Sequence, residues 1–156
     1  MEIQHLIREL ESNLHRFHEL FAHLEGSDTG PPSLARLVHI LSTVHEEVVD
    51  YRLKKILREE HPYLPQIDPA TLPAPVSPDS PPQVTATRFL DRRRELIKLL
   101  ERVPKESWKR TGVHETEGHV TFGELVRRMV EKDLSALEDL DSLIAREAQQ
   151  EVLPPN

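Results

Sequence analysis

TFGELVRRMVEKDLSALEDLDSLIAR, residues 121–146, decides the fold of this chain. It begins with Thr121 and Glu124 in the Thr-x-x-Glu spacing of a capping box, in which each residue satisfies a backbone N–H of the other. Apolar residues then recur every three or four positions, which predicts an amphipathic helix. Lys132 falls near the centre of the apolar stripe, so a charge at that place has to be explained. The stripe comprises Leu125, Met129, Ala136, Leu140 and Ile144.

Three further segments have the same helical period. We predict helix 1 over residues 2–24, helix 2 over 33–59, and helix 3 from 85 or 87 to just before Pro104. Five glycines and almost no β-branched runs argue against a sheet. The segment from Pro104 to Val120 is therefore predicted as a loop, with the single tryptophan, Trp108, covering one end of the core.

The connection between helices 2 and 3 is rich in proline. Residues 61–83 contain eight of the thirteen prolines, which indicates an extended connector, with a proline-recognition ligand as the minor alternative. It is far longer than the usual 2–8 residues between antiparallel helices and is long enough to cross a bundle from end to end. The sequence thus predicts an all-α four-helix bundle in which helices 2 and 3 run parallel. One domain would span residues 1–150, followed by a frayed tail over 151–156.

The composition excludes several functional classes. A net charge of −7 disfavours binding to nucleic acid or to an anionic membrane. The absence of cysteine removes disulfides, thiolate nucleophiles and thiolate metal ligands, and it fits a reducing cytoplasm. The first residues, MEIQHLIREL, carry charges within their apolar pattern and do not resemble a signal peptide. No apolar run approaches the roughly 20 residues needed to span a bilayer. We therefore expect a soluble cytoplasmic protein.

Short motifs over most of the chain resemble the DinB-like superfamily of bacterial four-helix bundles, which includes metal-dependent thiol S-transferases. The resemblance implies an up-down-down-up bundle and a homodimer. Its specificity comes from the order and spacing of the motifs together. The motifs are Tyr51-Arg-Leu-Lys-Lys-Ile-Leu57, His61-Pro-Tyr-Leu-Pro65, Trp108-Lys-Arg-Thr-Gly-Val-His114, Glu117-Gly-His-Val-Thr121, Glu124-Leu-Val and Glu131-Lys-Asp-Leu134.

Members of that superfamily with a metal site use three histidines, one on helix 2 and two spaced by four residues on the last helix. Such a set suits Zn or Ni with an open coordination position. Here Lys132 and Ala136 stand at the two positions on the last helix, and neither can ligate. On helix 2 the resemblance places Leu41 at the third ligand and Glu46 at an acidic position. His45 lies one turn away, and a shift of register would bring it in.

Two interpretations of Lys132 stay open. In the first, its stem covers apolar surface while the ammonium reaches water or a carboxylate. In the second, it points into the bundle, where a buried cation must be paired. Glu46 is then the leading partner, and Asp133 or His45 is the alternative. The second interpretation makes a lysine–carboxylate pair the polar centre of the bundle.

These observations lead to two expectations about function. The first is a DinB-like bundle without a functional metal centre or other cofactor, acting as a homodimer that binds a small molecule or another protein, and more a binding protein than an enzyme. The alternative is a metal-dependent thiol S-transferase or hydrolase-like enzyme with an altered site holding Zn or Ni. An open polar pocket between helices 2 and 4 would be compatible with a metal-free enzyme, whereas a packed interior would favour an interaction role. For His114, which matches a loop histidine of the superfamily, we expect a structural hydrogen bond rather than catalysis.

Overall fold

The computed structural model describes residues 2–24, 32–68, 71 and 81–152, and within these ranges four long helices form a bundle. The second long helix is composite, because two α-helical parts flank a π-helical segment, in which the hydrogen bonds span one residue more than in an α-helix. The helical elements in chain order are α1 (Ile3–Phe21) with a 3₁₀ turn (Ala22–Leu24), α2 (Pro32–Val44), the π-helical segment (His45–Asp50), α3 (Tyr51–Arg58), α4 (Pro82–Arg102), a 3₁₀ turn (Lys105–Lys109) and α5 (Phe122–Val152).

The apolar faces of the helices form two separate clusters along the bundle. We call one the sheet-end cluster; its members are mainly Leu6, Ile7, Leu10, Leu53, Ile56, Leu96, Ile97, Leu100, Val126, Met129 and Val130. We call the other the far cluster; it contains Phe17, Phe21, Leu24, Leu34, Val38, Ala86, Phe89, Leu90, Ala136, Leu137 and Leu140. Burial of these side chains is the main favourable term in folding. Between the two clusters, the interior of the bundle is formed by buried polar residues.

The order of the two clusters along each helix confirms the predicted up-down-down-up topology. Going along the chain, α1 and α5 pass from the sheet-end cluster to the far cluster, whereas the second long helix and α4 pass in the opposite direction. The second long helix and α4 are therefore parallel, as the long crossover predicts. Of that crossover, residues 69–70 and 72–80 lie outside the described ranges.

The helix ends differ in detail from the predictions. Pro82 opens α4, earlier than predicted, because proline lacks an N–H and suits the first helical turn. Thr121 caps α5 as expected, since its hydroxyl accepts the Glu124 N–H at 3.0 Å. The reciprocal half of the capping box is wrong, because the Glu124 carboxylate binds Arg127 and Arg128 instead. At the other end α5 extends to Val152, into the segment predicted to fray.

The expectation that there is no sheet was wrong. A small sheet with the order β1-β2-β3 closes one end of the bundle, formed by β1 (Tyr63–Leu64), β2 (Thr111–His114) and β3 (Gly118–Thr121). The β2–β3 pair is an antiparallel hairpin, and β1 adds to β2 in parallel. Gly118 has φ 76°, a left-handed conformation that glycine adopts without strain. Trp108 is buried beneath this end of the bundle as predicted, with its ring centroid 5.3 Å from that of Phe122.

We predict that Gly112→Val destabilises this end of the bundle. A Cβ at Gly112 would lie 2.7 Å from Leu64 Cδ1 and 3.3 Å from Ile56 Cγ1, and both of these side chains are fully buried. Overpacking of this kind costs about 1–3 kcal/mol, which urea unfolding would measure. Val113→Thr, at the half-buried neighbouring position, is the control. An unfolding midpoint equal to that of the unmodified protein would show that the sheet can move away from α3.

Candidate functional site

A polar layer separates the two apolar clusters, and each long helix contributes one residue to it. The four residues are Asn13 from α1, His45 from the π-helical segment, Arg93 from α4 and Asp133 from α5, and each is at most 5% exposed. Along its helix, each stands at the three- or four-residue spacing that its apolar neighbours follow. Four polar side chains therefore converge at the middle of the bundle.

The centre of the polar layer is a buried ion pair. Arg93 Nη1 donates to Asp133 Oδ2 at 2.5 Å, and Arg93 Nη2 donates to Asp133 Oδ1 at 3.1 Å. Asn13 Nδ2 donates to the same carboxylate at 3.3 Å. The guanidinium also lies over the Phe89 ring, 5.2 Å from its centroid. A buried charge requires this kind of bidentate, hydrogen-bonded pairing, because an unpaired one is very costly.

His45 completes the polar layer as a neutral imidazole. Its Nδ1 lies 3.4 Å from Arg93 Nε and accepts that N–H, while its Nε2 has no hydrogen-bond partner among the described residues. Burial, reinforced by the adjacent Arg93 charge, lowers the pKa of His45 to about 3. Both effects act in the same direction, because each penalises the imidazolium. The His45 side chain therefore stays uncharged at neutral pH.

Lys132 is not the residue at the centre of the bundle. It is exposed, and the buried position between Val130 and Leu137 is taken by Asp133. The assignment from the sequence was displaced by one residue because it took Leu125 as the start of the stripe, whereas the deepest positions follow Val126. The lysine–carboxylate pair is accordingly replaced by an arginine–aspartate pair, with Asp133 supplied by the next residue of the same helix.

The other predicted positions lie apart from that pair. Glu46 binds Arg88 through two hydrogen bonds of 2.7 and 2.8 Å, so it is engaged on the surface between α4 and the π-helical segment rather than with Lys132. Leu41 and Ala136 both pack in the far cluster, as apolar side chains should. Only His45, of the five candidate positions, enters the polar layer.

These residues do not fit a metal centre. Within the described ranges, no three His, Asp or Glu side chains come together as a group able to hold a metal ion. Both carboxylate oxygens of Asp133 already accept from Arg93, and the Arg93 cation lies directly against His45. A cationic metal at this place would face a guanidinium, which opposes binding. The Asp133 carboxylate is thus already engaged by Arg93 and Asn13, and His45 Nε2 is the one ring nitrogen of the layer without a partner among the described residues.

An open pocket of about 530 Å³ lies between the second long helix and α5, beside the sheet. Its apolar wall includes Val44, Val48 and Val49, which belong to α2 and the π-helical segment. Single π-helical turns occur frequently at functional sites. The volume falls in the range typical of small-molecule sites. Seven polar side chains also line it: Arg52, Gln66, His114, Thr116, Glu117, Arg128 and Lys132.

Hydrogen bonds hold several of the polar side chains of the pocket. Arg52 Nη2 donates to the Pro65 carbonyl at 2.7 Å. His114 Nδ1 accepts the N–H groups of Thr116 at 3.2 Å and Glu117 at 3.4 Å, a local structural role of the kind expected for it. Glu117 also binds Arg128 at 2.6 Å, and this hydrogen bond lowers the pKa of Glu117. The pocket is therefore a shaped polar site with an apolar wall.

The sequence reasoning missed Asn13, Arg93 and Asp133 as a group, although their signals were present. In α5, the positions 126, 130, 133, 137 and 140 follow a strict alternation of four and three, which points to Asp133. In α4, the positions 89, 93, 96 and 100 do the same, which singles out Arg93 from its two arginine neighbours. The residues of the pocket come from five helices and strands and two connecting segments, so the pattern of no single segment indicates the pocket.

Comparison with known proteins supports the fold. The solved structure of YfiT from Bacillus subtilis, described as a probable metal-dependent hydrolase with an unusual four-helix bundle topology, superposes with a TM-score of 0.76. The match has 18% sequence identity and covers 94% of this chain and 87% of that chain. No family model and no curated protein sequence matches this chain. The chain thus has a YfiT-like four-helix-bundle fold, and at this identity the likeness carries no further than the fold.

Proposed function

We propose that this protein binds a small molecule in the pocket between the second long helix and α5, without a metal ion. The observation that carries the proposal is the pocket itself, which is open, about 530 Å³ in volume, and lined by both apolar and hydrogen-bonding side chains. A bundle that served only as a packed interaction module would have no need of such a cavity. Small-molecule sites in bundles commonly lie between facing helices.

The polar layer supports the metal-free part of the proposal. The resemblance places metal ligands at three positions, and none of the side chains found there can coordinate a metal ion at neutral pH. These residues are Leu41, Lys132 and Ala136. The neighbouring Arg93–Asp133 pair supplies the internal polar contact between helices that a metal would otherwise provide. We infer that the polar layer is a structural replacement for a metal centre, while the pocket beside it retains the binding role.

Ligand-observed NMR with a library of small acids, bases and neutral molecules would test binding in the pocket. Val49→Trp is expected to abolish the signals of bound fragments, because the indole would fill the cavity that Val49 lines. Val84→Trp is the control, since Val84 is half exposed on α4 and outside the pocket. The proposal is wrong if no fragment binds the unmodified protein. It is also wrong if the Val49→Trp variant binds the same fragments as the unmodified protein.

We predict that the protein purified without chelators or affinity tags contains far less than one equivalent of Zn or Ni. The reason is that the described residues offer no group of metal donors, and that Arg93 repels a cation beside His45. Elemental analysis by mass spectrometry provides the measurement. Stoichiometric metal that disappears in His45→Gln, but not in the exposed His18→Gln, would overturn the metal-free assignment.

The second candidate is a metal-dependent thiol S-transferase or hydrolase-like enzyme with an altered site. The likeness of the fold to a probable metal-dependent hydrolase favours it. The elemental analysis separates the two candidates directly. If the protein is metal-free and still converts a substrate, the reaction has to be carried by the side chains of the pocket, of which His114 is the foremost proton-transferring group.

The homodimer and the cytoplasmic location implied by the sequence stay predictions. Within the described ranges, every helix is too short or too polar to cross a bilayer. Five large apolar side chains of the described residues are exposed on the surface and could take part in a subunit contact: Ile40, Tyr51, Tyr63, Val84 and Leu134. Size-exclusion chromatography with light scattering would give the mass in solution and so decide the oligomeric state.

A further inference from the structure

We propose that the ligand of the pocket is an amphiphilic anion, with an oxyanion head and an apolar body. This inference rests on the proposed function, because it names the class of molecule that the same pocket takes. It follows from the distribution of charge around the pocket. Three cations, Arg52, Arg128 and Lys132, line the cavity against a single carboxylate, Glu117. The pocket is a locally positive place on a chain whose net charge is −7.

Two of the three cations are left without a carboxylate. Arg128 is neutralised, since it binds Glu117 at 2.6 Å and Glu124 at 3.3 Å. The ion pairs of the described residues include neither Arg52 nor Lys132. The two are contributed by α3 and α5, the helices that form facing walls of the pocket. An anion between these walls would be attracted by both.

The Arg52 side chain is prepared for an acceptor. Its Nη2 is anchored to the Pro65 carbonyl at 2.7 Å, whereas its Nε is buried and has no partner within the described ranges. Burial lowers the pKa of Arg52, yet an arginine stays charged at neutral pH. Arg52 lines the pocket, so this unused N–H belongs to a side chain that a bound molecule would contact. Such fixed, charged donors bind carboxylates and phosphates well.

His114 adds a third donor to this wall. Its Nδ1 accepts two backbone N–H groups, so the proton of the neutral ring is on Nε2. The ring itself is 7% exposed and lines the pocket. An oxyanion can therefore be met by a guanidinium, an ammonium and an imidazole N–H, which together complement one or two negative charges.

The apolar wall rules out a purely polar anion as the best fit. The same cavity that the cations line is also lined by apolar side chains: Val48, Val49, Leu53, Leu125 and Met129. Inorganic phosphate would leave this surface in contact with water, whereas an apolar body would cover it and gain free energy from the burial. Methionine adapts its shape to different partners, which suits a site that accepts an irregular body.

A matched pair of dyes tests the inference. Anilinonaphthalene sulfonate is an amphiphilic anion, and N-phenylnaphthylamine has the same aromatic body without the charge. Fluorescence titration is expected to show saturable binding of the anion to the folded protein, at least about tenfold tighter than binding of the neutral dye. Raising the salt concentration should weaken binding of the anion alone, because salt screens charge.

Charge-removing variants locate the effect. Lys132→Met, at an exposed position, should weaken binding of the anionic dye about tenfold and leave binding of the neutral dye unchanged. The same result is expected for Arg52→Met. Glu117→Gln should strengthen binding of the anionic dye several-fold, since it removes the carboxylate of the pocket and leaves Arg128 with Glu124 alone. Lys98→Met, on the exposed face of α4, is the control and should change neither dye.

The outcomes separate this inference from the proposed function. In one outcome Val49→Trp abolishes binding of both dyes, but Lys132→Met and Arg52→Met still bind the anionic dye more tightly than the neutral one. The pocket then binds small molecules, and the anion inference is wrong. If Val49→Trp leaves both dyes bound as before, or if neither dye binds, the proposed pocket function fails as well. A near-ultraviolet circular dichroism spectrum equal to that of the unmodified protein confirms that each variant is folded. Parallel titrations with octanoate and octyl phosphate, as competitors, show which oxyanion head is preferred.

Discussion

Asp133→Ala is expected to lower the free energy of unfolding by about 3–5 kcal/mol, the largest effect that a single substitution in this chain should have. The substitution leaves the Arg93 guanidinium buried, at 3% exposure, without its carboxylate partner. Asn13 loses its acceptor at the same time. Urea or thermal unfolding, followed by circular dichroism, measures the loss.

A double-mutant cycle shows that the loss comes from the pair. In Arg93→Met/Asp133→Leu both charges are absent, so the double variant should be more stable than either single variant, apart from the cost of leaving the Asn13 amide and the His45 imidazole without their partners. Asp141→Ala, on the exposed face of α5, is the matched control and should change stability by less than about 0.5 kcal/mol. Strictly additive single effects, or a change below about 1 kcal/mol for Asp133→Ala, would contradict a buried pair at the centre of the bundle.

The second large effect concerns acid stability. His45 is expected to destabilise the protein progressively as the pH falls from about 6.5 towards about 3. At pH 7 the imidazole is neutral in both the folded and the unfolded protein, so it contributes nothing. Below pH 6.5 the unfolded chain binds a proton at His45 and the folded protein does not, which favours unfolding. The penalty stops growing near pH 3, where the folded form also takes up the proton.

Each pH unit in this window corresponds to about 1.4 kcal/mol, so His45 should cost roughly 2–3 kcal/mol between pH 7 and pH 4.5. The measurement is the difference in unfolding free energy between these two pH values for the unmodified protein and for His45→Gln. The difference should be smaller in His45→Gln by the contribution of His45, while carboxyl groups titrate equally in both proteins. His18→Gln, at an exposed position, is the matched control for the substitution itself. Equal pH dependence in His45→Gln and the unmodified protein would show that His45 is accessible to protons in the folded state.

The polar layer also has a consequence for the specificity of the fold. If one helix shifted by a turn relative to its neighbours, Arg93 or Asp133 would be buried among apolar side chains without its partner. Such a state is strongly penalised, so the pair favours one register of the bundle. The layer divides the core and costs desolvation, and in return it makes alternative packings of the four apolar stripes unfavourable.

Much of the bundle could be predicted from the sequence, and the errors have identifiable causes. The four helices were found because an apolar period of 3.6 is a local property that each segment carries by itself. The β strands were missed because they are two to four residues long and because Tyr63 pairs with Val113, fifty positions further along the chain. The π-helical segment His45–Asp50 was not foreseen either.

The candidate site was only half predicted. His45 was named and lies in the polar layer. For Lys132 two orientations were left open, and the structure has the one in which the side chain is exposed, at the rim of the pocket. Of the three successive arginines in α4, the one that forms the buried pair is Arg93. Adjacent residues on a helix differ in direction by about 100°, so an error of one position moves a charge from the core to the surface.

The sequence by itself determined the number of helices, their amphipathic faces and the long connection that makes two of them parallel, because these depend on spacing within each segment. Only the tertiary structure decided which charges meet. Asp133 finds Arg93 and Asn13 at separations of 40 and 120 residues, and the pocket combines side chains from both halves of the chain. The physical reason is that a buried charge is stable only where its partners arrive from other helices, and no local pattern contains that information.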